Sequence, residues 1–199
     1  MNNIDNLLVA VDVQHDFIDG ALGSQKAKET LEKINKFVGS VKKKETFTKM
    51  LATMDTHNEG TYMSTREGRL LPVPHCIYGE DGWKSAFGEG IVDDDTIIKS
   101  SFMSEPSRMR ESLAYLIGPT MSYYNKNVFI FGYCTSICVI ANALLMRQIL
   151  DDANIYIVED LCADISEENH AAGLAVAKAN QIQIIDSRGA LALINKNNN

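Results

Sequence analysis

The chain has 199 residues, 45% hydrophobic and 23% charged, with 13 glycines, 4 prolines and a formal net charge of −7. That balance fits one globular α/β domain spanning 1–199 and argues against a nucleic-acid or anionic-membrane partner. No apolar run reaches the ~18 residues of a membrane span. The start, "MNNIDNLLVAVDVQ", lacks the basic segment of a signal peptide, so a cytoplasmic chain is expected, its four cysteines (Cys76, Cys134, Cys138, Cys162) free thiols.

In chain order, "NLLVAVDV" (6–13) reads as a buried strand, and "QKAKETLEKINKFVGSVKKK" (25–44) as a helix with Leu31, Ile34, Phe37, Val38 and Val41 on one face. "FTKMLATMDTH" (47–57) is a second strand and "DTIIKSSF" (95–102) a third, separated by a long irregular polar stretch of the kind that carries function. "EPSRMRESLAYLIG" (105–118) is a helix, with Ser104 as its expected N-cap and Pro106 in its first turn. A strand follows at 127–133, a long apolar helix at 136–152, a strand at 154–164, a helix capped by Ser166 at 166–180 and a last strand at 182–186, before a tail "NKNNN" expected to be disordered. Strands alternating with helices imply right-handed crossovers and a mostly parallel sheet with helices on both faces.

In such a sheet ligands bind beyond the carboxyl ends of the strands. Strand one ends at Asp12, strand two at Asp55 and His57, and strand three at Lys99, while strand four leads into Cys134 and Cys138. Any one of these is an ordinary turn or surface residue; four in succession form a constellation. Cys138 lies about one turn into the helix, where free N–H groups and Lys99 would lower its thiol pKa and Asp12 could take its proton. The commonest fate of a free cysteine is a buried inert thiol, so spacing alone leaves both readings open. A disulfide within one tight turn and a lone C-x-x-x-C zinc pair are both disfavoured.

"LLVAVDVQHDF", "MDTH", "PHCIYG", "IIKSSF" and "GYCTSICV", in this order, resemble the isochorismatase-like cysteine hydrolases, and within them most closely the nicotinamidases. The resemblance covers Leu7 to about Ile185. It implies a Rossmann-like three-layer α-β-α sandwich around a six-stranded, mostly parallel sheet. It also implies a catalytic triad of Asp12, Lys99 and Cys138, an oxyanion hole from the backbone of Cys134 and Cys138, and a cis Tyr133–Cys134 peptide. Asp55 and His57 are two apart and point to one side of an extended strand, and prolines flank His75 in "PVPHC". Spacing alone makes these ordinary loop residues. The resemblance turns Asp55, His57, Glu67 and His75 into ligands for one divalent transition ion (Zn, Fe or Mn).

The activity implied is deamidation of nicotinamide, and of pyrazinamide, to the acid and ammonia through a thioester, in NAD salvage. The alternative is another cysteine amidase of the superfamily acting on a different carboxamide or ureido compound. Phe17, Leu71, Phe102 and Tyr133 are the implied substrate-binding residues. Three positions depart from the family pattern: Ser136 stands where an Asp is usual, Leu71 (or Leu70) where a ring-stacking aromatic is frequent, and Phe102 where a Tyr is common. Ser136 is expected to cap the helix in the acid's place, Cys134 to be a small core residue, Trp83 to stand at the entrance or in the packing, and His15 and His170 at the surface or behind the site. The partner implied is a small-molecule carboxamide, a homo-oligomer being compatible with it.

Overall fold

Asn6–Val11 forms β1, and each of its six residues is buried, as a strand covered on both faces demands. The computed structural model describes residues 6–42, 48–118 and 126–196. After β1 come α1 (His15–Ile18), α2 (Gln25–Lys42), β2 (Thr48–Asp55), α3 (Arg66–Leu70), β3 (Asp95–Lys99), α4 (Pro106–Ile117), β4 (Asn127–Tyr133), α5 (Ile140–Ile149), β5 (Asn154–Ala163), α6 (Glu167–Ala179), β6 (Gln183–Ile185) and α7 (Ser187–Lys196). Lys43, Lys44 and Phe47, at the ends of the expected first helix and second strand, lie outside the described residues, as do Asn197–Asn199.

All six strands are parallel, in the order β3-β2-β1-β4-β5-β6. β1 sits between β2 and β4, with Val9 opposite both Leu51 and Ile130. The chain works outward from β1 to β3, then returns through α4 to β4 on the far side of β1. This reversal opens a crevice beyond the carboxyl ends of β1 and β4. α2 buries Ala27, Ile34, Phe37, Val38 and Val41 and packs against β5 and α7, while α4, α5 and α6 contact one another in a row.

Several local expectations are corrected. α4 starts after Glu105, which makes no side-chain cap; the Ser104 hydroxyl is buried without a hydrogen bond, and its N–H donates to Asn142 Oδ1. Pro106 does stand in the first turn, and Ser166 does cap α6 by accepting from the Asn169 N–H. The expected disordered tail begins inside α7: Asn195 and Lys196 are helical, and the helix itself was not anticipated. β2 closes at Asp55, leaving His57 to bridge Ile77 alone. Short helical turns at Tyr62–Ser64, Arg66–Leu70 and Asp81–Trp83 punctuate the irregular stretch after β2. The helix expected from Ser136 opens instead with a wide π-type turn over Thr135–Val139.

Candidate active site

Lys99, at the last position of β3, is 4% exposed, and its ammonium reaches three groups. Nζ lies 2.7 Å from Asp12 Oδ2, 3.5 Å from Asp55 Oδ1 and 3.6 Å from Cys138 Sγ. Burial alone would depress the lysine, but the charge of Asp12 first, and that of Asp55, outweigh it and hold the ammonium protonated. Asp12 is fully buried just past β1, with φ of 51°, a left-handed conformation that turns its carboxylate out of the strand direction. Its Oδ1 accepts from the Thr53 hydroxyl at 2.7 Å. Burial raises the Asp12 pKa, with Lys99 opposing, so the carboxylate is a stronger base than a free one.

The thiol of Cys138 behaves differently from expectation. Burial and then the charge of Asp12 push its pKa well above the ordinary value, and Lys99 only partly opposes them. Burial outweighs the helix-start effect because the thiol is shut away between two charged partners. The resting sulfur is a thiol beside a carboxylate, and its reactivity depends on proton transfer.

The turn that carries it is set by β4. Gly132 has φ of 128°, and a Cβ there would lie 2.0 Å from Val11 O, so only glycine lets β4 run this close to β1. The Tyr133–Cys134 peptide is cis. Cys134 O accepts from the Ile137 and Val139 N–H groups. Ser136 does not cap: its N–H donates at 2.5 Å to Asp164 Oδ2, whose other oxygen accepts from the Ile165 N–H. The acid absent from position 136 is thus supplied from beyond β5. His170 Nδ1 meets the Thr135 hydroxyl at 2.8 Å, placing His170 behind the turn.

Asp55, His57, Glu67 and His75 converge, each offering a donor atom within 4.8 Å of the others. His57 Nε2 is 2.9 Å from Asp55 Oδ2 and 3.8 Å from Glu67 Oε2; His75 Nε2 is 3.5 Å from Asp55 Oδ2 and 3.6 Å from Glu67 Oε1. His75 Nδ1 faces Val73 O at 2.9 Å, the backbone contact that fixes a ligating imidazole, so Nε2 points at the cluster. Burial alone would raise the Asp55 pKa, but both histidines and Lys99 drive it far below the usual carboxylate range. Two imidazoles and two carboxylates this close fit a divalent ion.

The family described as "Isochorismatase domain" matches residues 6–188. The chain belongs to the isochorismatase family. Its fold is similar to the pyrazinamidase of Pyrococcus horikoshii in complex with zinc, at 26% identity and a TM-score of 0.74 over 92% of this chain and 99% of that one. It is also similar to a nicotinamidase from Bacillus subtilis (19%, TM-score 0.73, covering 92% and 99%) and to an N-carbamoylsarcosine amidase from Thermoplasma acidophilum (18%, 0.71, 92% and 96%). At those identities the last two bear on the fold alone. Among curated proteins none matches the sequence. No helix among the described residues is long and apolar enough to cross a membrane.

In this member of the isochorismatase family the constellation opens on a cavity of about 790 Å³ lined by Cys138, the four clustered donors, Phe17, Leu71, Phe102 and Tyr133. Cys134 also lines it, half-buried rather than in the core, with burial and the nearby Asp164 pushing its thiol up to about 12. Trp83 is not among the lining residues; its indole N–H donates to Thr56 Oγ1 and its ring meets Tyr78 edge-on. His15 is half-exposed and pairs with Asp19.

Sequence reasoning passed over three supports. Gln14 Nε2 donates to Asp55 O and Trp83 O, and its Oε1 accepts from the Asp55 N–H, clamping the end of β2. Asp16 Oδ2 accepts from the Cys76 N–H, anchoring the loop that carries His75. Asp164 holds the Cys138 turn. Gln14 and Asp16 lie in "DVQHDF", where their spacing from Asp12 was the available signal; nothing local marks Asp164.

Proposed function

We propose that this protein is a metal-dependent cysteine amidohydrolase that deamidates a pyridine or pyrazine carboxamide of the nicotinamide type. The reading is supported above all by the position of Lys99, whose Nζ lies within 3.6 Å of Asp12, Asp55 and Cys138 and so links the thiol set to the donor cluster, Asp55 and Cys138 lining one cavity.

Asp12 takes the proton of Cys138, and the sulfur attacks the amide carbon to form the C–S bond. The developing oxyanion is received by the backbone N–H groups of Cys134 and Cys138; those of Ser136, Ile137 and Val139 already have acceptors. Asp12 returns its proton to the amide nitrogen, the C–N bond breaks and ammonia leaves a thioester on Cys138. Asp12 then deprotonates the water that attacks the thioester, the acid departs, and the proton passes back to sulfur. Lys99 keeps Asp12 ionised at the start of each half-reaction and stabilises the thiolate as it forms. A divalent transition ion held by Asp55, His57, Glu67 and His75 supplies, when bound, Lewis-acid binding of the substrate's ring nitrogen, and two imidazoles suit zinc, iron or manganese better than magnesium or calcium. Phe17, Leu71, Phe102 and Tyr133 enclose the ring. A cytoplasmic role returning the pyridine acid to NAD salvage fits this chemistry.

A second reading, hydrolysis of another carboxamide or a ureido compound, draws support from Leu71 and Phe102, which give the wall fewer aromatic and hydroxyl contacts. Ammonia release from nicotinamide, benzamide and a ureido acid, with metal content measured before and after chelation, separates the two. The nicotinamide reading expects benzamide to be poor and chelation to raise KM. Equal rates on nicotinamide and benzamide, or full activity in metal-free protein, would reject it in favour of the second.

A further inference from the structure

The cavity is larger and more apolar than a single-ring amide needs. At about 790 Å³ it is within the ~300–1,000 Å³ range of sites that enclose drug-sized ligands. Beside Cys138, the donor cluster and a few other polar residues, its lining carries Leu22, Leu70, Leu71, Phe102, Ile137 and Ile165. Leu70 is 73% exposed, Ile165 76% and Phe102 48%, side chains that a solvated protein surface has no reason to bring together around one opening.

They also come from separate parts of the chain. Leu70 closes α3, Phe102 follows β3, Ile137 lies in the turn after β4 and Ile165 follows β5. Four connections beyond the sheet therefore each contribute an apolar group to the lining of one cavity.

We infer that the substrate carries an apolar substituent on the side of its ring away from both the carboxamide and the ring nitrogen, which this wall of Leu70, Phe102 and Ile165 covers. The inference rests on the amidase reading above, since that reading places the carboxamide at Cys138 and so fixes which end of the ligand reaches the wall. An anionic substituent suits the wall poorly. Glu67 and Asp164 both line the cavity, and Arg66, which lines it too, is exposed to solvent. Both Asp164 oxygens are occupied by backbone N–H groups, so its charge is fixed in place.

The test is a homologous series of nicotinamides bearing methyl to butyl groups at ring position 5, meta to both the carboxamide and the ring nitrogen. Binding is followed by calorimetry on the Cys138→Ala variant, hydrolysis on the unaltered protein. Each buried methylene is worth about fourfold in affinity, the equivalent of ~0.8 kcal/mol, so Kd should fall about 60-fold from methyl to butyl as three methylenes are buried. The Leu70→Ser/Ile165→Ser double variant should lose that gain while binding unsubstituted nicotinamide as before; both side chains are solvent-facing, so the fold is not at stake. A Kd that stays flat or rises along the series overturns the inference, as does absence of binding throughout. So does a concentration-dependent dimer that the double variant abolishes and in which longer substituents gain nothing, because the wall is then an interface between copies. Falling Kd without hydrolysis of any member upholds the apolar wall and rejects the amidase reading, so the two failures are distinguishable.

Discussion

Replacing Lys99 by Met should disable Asp12 without touching it. The ammonium is the cation closest to Asp12, 2.7 Å from Oδ2, in a region where Asp12 is fully buried and Asp55 adds a second negative charge. Without it, burial and the Asp55 charge both drive Asp12 toward its protonated form, and a protonated carboxyl cannot accept the Cys138 proton. The expected loss in kcat/KM is that of a general base, about 10²–10⁴-fold. Breaking a buried pair from one side should also cost about 3–5 kcal/mol of stability. The Asp12→Asn/Lys99→Met double variant removes both charges and should be no less active than the worse single variant, and destabilised by clearly less than the sum of the two. Ammonia release and urea denaturation on the four proteins measure both couplings. Strictly multiplicative activity losses together with additive stability losses would refute the idea that acid and lysine act as one unit.

Cys138→Ala should abolish turnover while leaving the denaturation midpoint nearly unchanged, and Cys134→Ala should retain much of the activity. With its pKa near 12, Cys134 exposes a thiolate fraction of only about 10⁻⁴ at pH 8, so mass spectrometry after brief iodoacetamide treatment should find it unmodified. Alkylation of Cys138 should persist after chelation. Gly132→Ala should cost about 3 kcal/mol or more, because a Cβ would meet Val11 O at 2.0 Å with φ at 128°, and thermal unfolding would register it. Asp164→Ala should lower kcat more than it changes KM and cost about 1 kcal/mol, the scale of a lost helix cap; an unaltered kcat would show that the turn holds Cys138 without it.

The sequence by itself determined the layer order of this protein. Short apolar runs such as "NLLVAV" and "NVFIFGY" read as buried strands, the period of α2 and the Ser166 cap are local signals, and right-handed crossovers leave few ways to join such elements. Strand-end chemistry was legible for the same reason: Asp12, Asp55 and Lys99 close their strands, so a parallel sheet carries them to one edge whatever the details. Cys138 and the loop residues Glu67 and His75 were placed by resemblance, since no periodicity orders the chain between β2 and β3. Only the tertiary structure decided the energetics of the site. The direction of the Cys138 pKa depends on how completely the turn is buried beside Asp12, which no spacing encodes. The cap of that turn comes from Asp164, 28 positions away, and the clamp on Asp55 from Gln14, 41 away. The apolar wall of Leu70, Phe102 and Ile165 exists only because three separate connections meet over one opening. Local order follows from propensity and pattern within a few residues, whereas proton affinity, capping at a distance and the shape of a cavity are properties of neighbours that only folding brings together.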